Sequence, residues 1–318
     1  MPKPSPKLPP TYKRLAKVSL VVSVGLAKGE APYSVWACSI VGTLNSMSNA
    51  SKRINFIINK SKESNAIQMC IMYNNTNVRS NILYKIAGKL MRMAEIIITG
   101  ASGGIGSALC RVFLDGGHRV MAISRKESVM DVHPNLEWIR SSLDNYAAIR
   151  NAVDSWSAGS GLRILIHNAG YMIRKAFIEL EQSDMEELMH VNLLYPCMLT
   201  KALLGWLSNG DAGHTIYISS MSGFQGSLKY PGLTAYGASK SAGNAWIESM
   251  AAEFDIKQGL YFNALSLGAV NTSMLKDAIP NTTSAVEVRD MARFIFGFAL
   301  DGFKVMNGVV LPVRISNP

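Results

Sequence analysis

The chain is poor in cysteine and lacks a long apolar run near its start. Its four cysteines, Cys38, Cys70, Cys110 and Cys197, stand far apart, with no CxxC pair and no His/Cys cluster. This spacing argues against a disulfide framework and a zinc site, so we predict free thiols, a cytoplasmic location and no metal. The strongly apolar stretch 18–27 is too short for a transmembrane helix, which needs roughly 20 residues.

Acidic residues are nearly missing from the first part of the chain. Residues 1–93 hold 14 of the 32 Lys and Arg but only two acids, Glu30 and Glu63. The remaining 225 residues hold 18 basic and 20 acidic residues, a net charge of −2. Because the basic excess lies wholly in the N-terminal segment, residues 94–318 offer no charge pattern for nucleic acid. We expect neither a nucleic-acid nor a membrane partner for that part.

Segment 1–93 also differs from the rest in pattern. It is rich in Pro and Lys at 1–10 and in Asn, Ser, Lys and Ile at 46–81, without sustained periodicity. We therefore predict a basic extension with little stable structure. Three hypotheses stay open. In the first hypothesis, which we prefer, translation starts at Met91 or Met93. In the second the segment is a targeting signal, and in the third it is a tail that contacts a membrane or nucleic acid.

From residue 94 onward, β-branched runs alternate with helix-length segments. Strands are predicted at 96–98, 119–123, 163–167, 215–219, 260–266 and 308–315, and helices at 105–114 and 235–252 among others. Such alternation is typical of a parallel sheet covered by helices on both faces. We predict one α/β domain over 94–318, a doubly wound Rossmann fold.

A glycine-rich string, TGASGGIG, joins the first of these strands to the first helix. Gly100 permits a tight turn, Gly104 lets the backbone approach a pyrophosphate, and Gly106 lets the helix pack near the sheet. The helix N-terminus then offers free N–H groups to phosphates. We predict a nucleotide site made by Gly100, Ser102, Gly103, Gly104, Ile105 and Gly106.

The end of the next strand indicates which nucleotide is bound. An Asp or Glu at this place usually holds a free ribose 2′-hydroxyl, whereas a cation accommodates a 2′-phosphate. The strand here ends in Arg125 and Lys126 with no acid. Arg125, helped by Lys126 and the Ser102 hydroxyl, can pair with a phosphate through charge-assisted hydrogen bonds. NADP(H) is therefore favoured over NAD(H).

Tyr236 and Lys240 stand four residues apart within a helical pattern, so their side chains share one face. Ser220 follows a predicted strand, Asn192 lies in a helical pattern, and HNAG begins at His167. In this order and with the glycine string, the motifs resemble those of the short-chain dehydrogenase/reductase family in its compact single-domain form. HNAG is similar to the family's NNAG.

The resemblance implies a catalytic tetrad of Asn192, Ser220, Tyr236 and Lys240. It also implies cofactor contacts at Asn168, Ala169, Gly170, Tyr236, Lys240, Gly268, Val270 and Thr272, and a homodimer or homotetramer. Three departures are visible. Tyr236 follows Ser220 by 16 residues, a few more than usual, which leaves Ser219 and Ser222 open as alternatives. Leu267 replaces a typical proline, and Ser141 stands where an aspartate often holds the adenine.

In the mechanism that this tetrad implies, the Lys240 ammonium lowers the Tyr236 pKa, and Tyr236 exchanges a proton with the substrate oxygen. Ser220 hydrogen-bonds that oxygen, and Asn192 holds a water that links Lys240 to solvent. The cofactor carries the hydride. His167 is expected to be a buried structural histidine.

The substrate is less visible in the sequence. Loops 171–177, 221–233 and 273–283 follow predicted strands and should shape its pocket. Apolar side chains within them indicate a small apolar carbonyl or alcohol; they are Met172, Phe224, Leu228, Leu233, Met274 and Leu275. The alternative is an NADP(H)-binding regulator of the same fold that does not turn over substrate.

Overall fold

A computed structural model describes residues 93–127, 130–157, 161–254, 256–278, 284 and 286–315, together with three strands nearer the start. These strands, β1 (Leu20–Val24), β2 (Phe56–Lys60) and β3 (Ile67–Ile71), form an antiparallel sheet in the order β1-β3-β2. The sequence did not predict them; each is rich in Ile or Val, which favour strands. The hypotheses for segment 1–93 otherwise lie outside the described residues.

Seven strands form the sheet of the second unit, Leu90–Pro318. They are β4 (Glu95–Thr99), β5 (Arg119–Ser124), β6 (Leu136–Arg140), β7 (Leu162–His167), β8 (Ala212–Ser220), β9 (Leu260–Leu267) and β10 (Val310–Val313). All pairs are parallel, in the order β10-β9-β8-β7-β4-β5-β6. The predicted doubly wound fold is confirmed. Strand β6 was missed because Glu137 and Arg140 interrupt its apolar pattern.

Seven α-helices of the described residues connect these strands. They are α1 (Gly104–Asp115), α2 (Tyr146–Trp156), α3 (Gln182–Met189), α4 (Tyr195–Ser208), α5 (Thr234–Glu253), α6 (Ser273–Ala278) and α7 (Val288–Asp301). A π-helical turn, His190–Leu194, joins α3 to α4. Within the described part of the chain, no helix is both long and apolar enough to span a bilayer.

The strands bury apolar side chains on both faces of the sheet. Ile96 and Ile98 belong to the core beneath α1 and α7, whereas Ile97 belongs to the core beneath α2, α4 and α5. Successive strand residues point to opposite faces, so one β-branched run supplies both cores, as is typical of a parallel sheet. Cys110 and Cys197 are free thiols; the side chains of the other two cysteines lie outside the described residues.

Strand β4 lies at the point where the strand order of the sheet reverses, which opens a crevice. It pairs with β5 on one side and with β7 on the other. The connections after β4 and β7 therefore leave the sheet in opposite directions. In doubly wound sheets, ligands bind outside the carboxyl ends of the strands at this kind of reversal. The glycine turn after β4 and the HNAG turn after β7 both lie there.

Candidate active site

The glycine turn depends on two close backbone approaches. Gly100 has φ +66°, and a Cβ on it would lie 2.7 Å from the Ala169 Cα. A Cβ on Gly106 would lie 2.2 Å from the Gly100 carbonyl oxygen. Helix α1 begins with Gly103 as its N-cap, and among the described residues no side chain caps it. Its first N–H groups can therefore receive an anion.

Asn168 ties the glycine turn to the HNAG turn. Its side-chain amide donates to the carbonyl oxygens of Thr99 (3.0 Å) and Gly100 (3.1 Å). The Thr99 hydroxyl oxygen accepts from the backbone N–H groups of Asn168 and Ala169, both at 3.1 Å. The Asn168 amide thus joins the two turns, and its contact with a cofactor stays a prediction.

Tyr236 lies in the first turn of α5, with 7% of its surface exposed. Burial raises its pKa, and a hydrogen bond with the Ser220 side chain acts in the opposite direction. Ser219 is turned away, since its hydroxyl lies 3.5 Å from the Lys240 carbonyl oxygen, which accepts from it. The Ser222 N–H donates to the Ser220 Oγ at 3.1 Å. The structure therefore brings Ser220, of the three candidates, against Tyr236.

The loop between Ser220 and Tyr236 is braced by one ammonium group. Lys229 Nζ donates to the carbonyl oxygens of Ser222 (2.8 Å) and Phe224 (2.6 Å) and to the Ser227 hydroxyl (2.9 Å). These bonds fold the long connection back on itself. The extra residues noted in the sequence therefore do not separate Ser220 from Tyr236.

Lys240 lies one helical turn beyond Tyr236 and is 4% exposed. Its Nζ donates to the Ile218 carbonyl oxygen at 2.9 Å, and burial lowers its pKa to about 7. A Cβ on Gly170 would lie 3.4 Å from this Nζ, so the glycine lets the HNAG turn pass close to it. The Tyr236 pKa responds to burial and Ser220; the predicted lowering by Lys240 is not among its causes.

Asn192 is fully buried in the π-helical turn. Its side-chain oxygen accepts from the Tyr171 N–H (2.9 Å), and its amide donates to the Tyr171 carbonyl (2.8 Å) and to the Ser239 hydroxyl (2.9 Å). The Ser239 hydroxyl then donates to the Tyr236 carbonyl oxygen at 2.8 Å. Asn192 thus links the loop at Tyr171 to the end of α5 that carries Tyr236, and π turns are frequent at functional sites.

The loop 268–272 faces the glycine turn from the far side of the crevice. A Cβ on Gly104 would lie 3.4 Å from Thr272 Cγ2. The Gly268 N–H donates to the Val313 carbonyl oxygen at 2.9 Å. The Val270 side chain is buried in the core, so a cofactor contact there would use its backbone. Thr272 is the predicted contact that this arrangement favours most.

Arg125 lies at the carboxyl end of β5 and is exposed, as is Lys126. Its backbone carbonyl accepts from Arg140 Nε at 3.4 Å, and Arg140 forms an ion pair with Glu127. Among the described residues, the Arg125 guanidinium takes part in no ion pair. It is therefore available to an anion, and half-buried Ser102 and Ile105 lie in the adjacent turn.

His167 is buried and its Nε2 shares a 2.7 Å hydrogen bond with the Thr200 hydroxyl. Burial, with a smaller effect of Lys240, lowers its pKa to about 3. The prediction of a structural, hydrogen-bonded histidine is confirmed. Within the described residues, no group of three or more His, Cys, Asp or Glu could hold a metal ion.

The predicted substrate residues fall into three groups. Leu233 is buried in one apolar cluster with Tyr236, and Met172 packs against it. Leu228 (57% exposed) and Met274 (41% exposed) face outward. Phe224 and Leu275 are half-buried. Residues 279–283 of the third loop lie outside the described residues. The apolar surface beside Tyr236 is therefore described only where Leu233 and Met172 form it.

Sequence reasoning missed three residues that hold this site together. Thr99 lies inside the glycine motif and Ser239 inside the YGASK stretch, so their positions were in view but their hydrogen bonds were not. Tyr171 acts through its backbone, and no side-chain pattern signals that.

Comparisons with known proteins agree with this fold. A family model described as short chain dehydrogenase matches residues 94–283. A zebrafish (Danio rerio) protein, "Dehydrogenase/reductase SDR family member 7B", is 30% identical over an alignment of 229 residues that covers 66% of this chain and 73% of the relative. A solved 4-hydroxyisoleucine dehydrogenase complexed with NADH is 26% identical, has a TM-score of 0.58, and matches 69% of this chain and 96% of that one. ElxO with NADP bound has a TM-score of 0.60 at 21% identity, over 70% of this chain and 97% of the other.

Proposed function

Because this chain belongs to the short-chain dehydrogenase family, we propose that it is an NADP(H)-dependent oxidoreductase with Tyr236 as its general acid and base. Its substrate is a small, apolar carbonyl compound or the corresponding alcohol. The observation that carries the proposal is the convergence of Tyr236, Ser220 and Lys240 beside the glycine turn, at the carboxyl edge of the sheet.

The crevice fits a nicotinamide dinucleotide. Backbone atoms approach one another where Gly100 and Gly106 lack a Cβ, and the uncapped start of α1 offers N–H groups and a positive dipole to a pyrophosphate. Gly170 leaves room beside Lys240, which would hold the nicotinamide ribose. When bound, the cofactor supplies or accepts the hydride. Arg125 would pair with the 2′-phosphate.

Tyr236 has the protonation state that a reduction requires. Burial raises its pKa above the ordinary value of a phenol, so the hydroxyl carries its proton at neutral pH. It can donate that proton to a carbonyl oxygen as negative charge develops there. The Ser220 hydroxyl lies beside Tyr236 and would hydrogen-bond the same oxygen. Lys240, through its bond to the Ile218 carbonyl oxygen, helps to position the end of α5 that carries Tyr236. Asn192 does so through Ser239.

The test is turnover by the full chain. NADPH oxidation is followed at 340 nm with a panel of aldehydes, ketones and 3-oxoacyl thioesters, for the wild type and Tyr236→Phe. We expect Tyr236→Phe to lower kcat by about 10²–10⁴-fold, the usual contribution of a positioned general acid. The matched control is Tyr261→Phe on β9, whose ring packs on Phe303 away from the crevice, and it should keep its activity.

Two outcomes overturn this proposal. Equal activity in wild type and Tyr236→Phe removes the proton-transfer role. Tight NADPH binding without turnover across the whole panel favours the regulator of the same fold.

A further inference from the structure

Tyr217 lies in the middle of β8, fully buried, and contacts two residues of the tetrad. The Lys240 Nζ lies over its ring, 4.9 Å from the centroid. Its hydroxyl donates to the carbonyl oxygen of Asn192 at 2.7 Å. A single side chain therefore connects the lysine of α5 to the π-helical turn. Neither the motif pattern nor the comparisons assign it a role.

The fold makes specific room for this ring. A Cβ on Gly243 would lie 2.4 Å from the Tyr217 Cε1 and Cζ and 2.5 Å from its hydroxyl oxygen. Helix α5 can therefore approach the ring only because residue 243 is glycine. Trp246 closes the next helical turn, edge-on to the ring with centroids 6.1 Å apart. The tyrosine is held in one orientation, with its polar end satisfied.

The Tyr217 ring replaces part of the solvent around the buried Lys240 ammonium. Removing a charge from water is costly unless other groups replace the solvent. Among the described residues, the titratable groups that face Lys240 are Tyr217 on β8 and His167 on β7, while Tyr236 on α5 and Cys197 on α4 face Tyr217. None of these is a carboxylate, so the Ile218 carbonyl and the Tyr217 π face are two groups that favour the charged lysine.

Resting on the proposed function, we propose that Tyr217 is a positioning residue for the Lys240–Tyr236 pair. Its ring face favours the charged form of Lys240 and holds the side chain in place, and its hydroxyl fixes the Asn192 carbonyl of the π-helical turn. It touches neither substrate nor cofactor and acts through these two residues.

The ring is tested by titrating Lys240 directly. The Lys240 ¹³Cε resonance of the full chain, assigned with Lys240→Gln, is followed against pH by NMR. Tyr217→Phe keeps the π face, and its midpoint should stay within about 0.3 units of the wild type. Tyr217→Leu removes the face, and the midpoint should fall by about one unit. The control is Phe262→Leu, which removes an aromatic ring from the same core cluster and should leave the midpoint unchanged.

An unshifted midpoint in Tyr217→Leu, or an equal shift in Phe262→Leu, overturns the role of the ring. If Tyr217→Leu does not fold, pentafluorophenylalanine at position 217 makes the same test, because fluorination reverses the ring quadrupole at nearly constant shape. The same downward shift is then expected, and its absence counts against the proposal.

The hydroxyl is tested by amide hydrogen exchange of residues 190–194. Tyr217→Phe leaves a buried carbonyl without its donor, so exchange should quicken by about fivefold; unchanged exchange overturns this half. Both measurements proceed without turnover, so their result is independent of whether Tyr236→Phe loses activity. Where the chain does turn over, the kcat of Tyr217→Leu at pH 7 should fall about fivefold with the shift in midpoint.

Discussion

The two sides of the crevice are held together by different means. On the side of β4 and α1, the glycine turn depends on missing side chains, since Gly100 and Gly106 bring backbone atoms together. On the side of β8, α4 and α5, buried polar side chains make the links, as Asn192 does between Tyr171 and Ser239. At Gly100 and Gly106 the first side has no room for an added atom, whereas the second side depends on its buried hydrogen bonds.

Gly106→Ala should have the largest effect on the glycine side. The new methyl group would lie 2.2 Å from the Gly100 carbonyl oxygen and 2.6 Å from the Asn168 amide nitrogen, so the helix must move. We expect a loss of about 3 kcal/mol in the free energy of unfolding and weaker NADPH binding. Chemical denaturation and a fluorescence titration with NADPH measure the two effects.

The matched control for that variant is Gly103→Ala. Gly103 has extended backbone (φ −170°) and nothing within 4 Å of an added Cβ. Its free energy of unfolding should stay within about 0.5 kcal/mol of the wild type. If the two variants lose equal stability, close backbone packing is not what this turn requires.

Asn192→Ala tests the polar side. It leaves the Tyr171 N–H and carbonyl and the Ser239 hydroxyl without their partner, at a cost of about 2–3 kcal/mol. Asn145→Ala is the control, because Asn145 caps α2 at the surface with one 3.4 Å bond and should cost about 1 kcal/mol. Equal losses, measured by denaturation, would mean that the buried links add nothing.

This contrast also explains what could be predicted from the sequence. A backbone turn and an i, i+4 pair are local, so TGASGGIG and the Tyr236–Lys240 spacing indicated the turn and the helix face directly. The alternation of β-branched runs with helix-length segments is also a local pattern, so it predicted the fold. Strand β6 was missed because charged residues interrupt its apolar run. The Asn192–Ser239 hydrogen bond joins residues that are 47 positions apart in the sequence. The choice of Ser220 over Ser219 depends on how the loop between Ser220 and Tyr236 folds. Such contacts depend on tertiary packing.

The polar side should also be the more sensitive to acid. In the folded protein the pKa of His167 is about 3, below the ordinary histidine value of 6.5. Its imidazole is therefore neutral in the folded protein, while the unfolded chain takes up a proton below pH 6.5. The unfolded state binds more protons, so the free energy of unfolding falls as the pH drops. By pH 5 this one group should lower it by about 2 kcal/mol.

Denaturation at pH 7 and pH 5 measures that loss. His167→Asn removes the titrating group, so its stability should fall by about 2 kcal/mol less over this interval. His190→Asn, at an exposed position, should behave as the wild type. If His167→Asn and the wild type lose the same stability, the histidine is not held neutral by the fold.

Arg125 offers the smallest effect and the sharpest test of the glycine side, because it should change binding and leave the fold intact. The residue is exposed at the end of β5, so Arg125→Asp should leave the free energy of unfolding within about 0.5 kcal/mol. The carboxylate repels a 2′-phosphate and can accept a hydrogen bond from a free 2′-hydroxyl. The ratio of Kd values for NADPH and NADH should therefore shift about tenfold toward NADH. Arg111→Asp makes the same charge change at an exposed position on α1; an equal shift there would assign the preference to net charge rather than to the contact with Arg125.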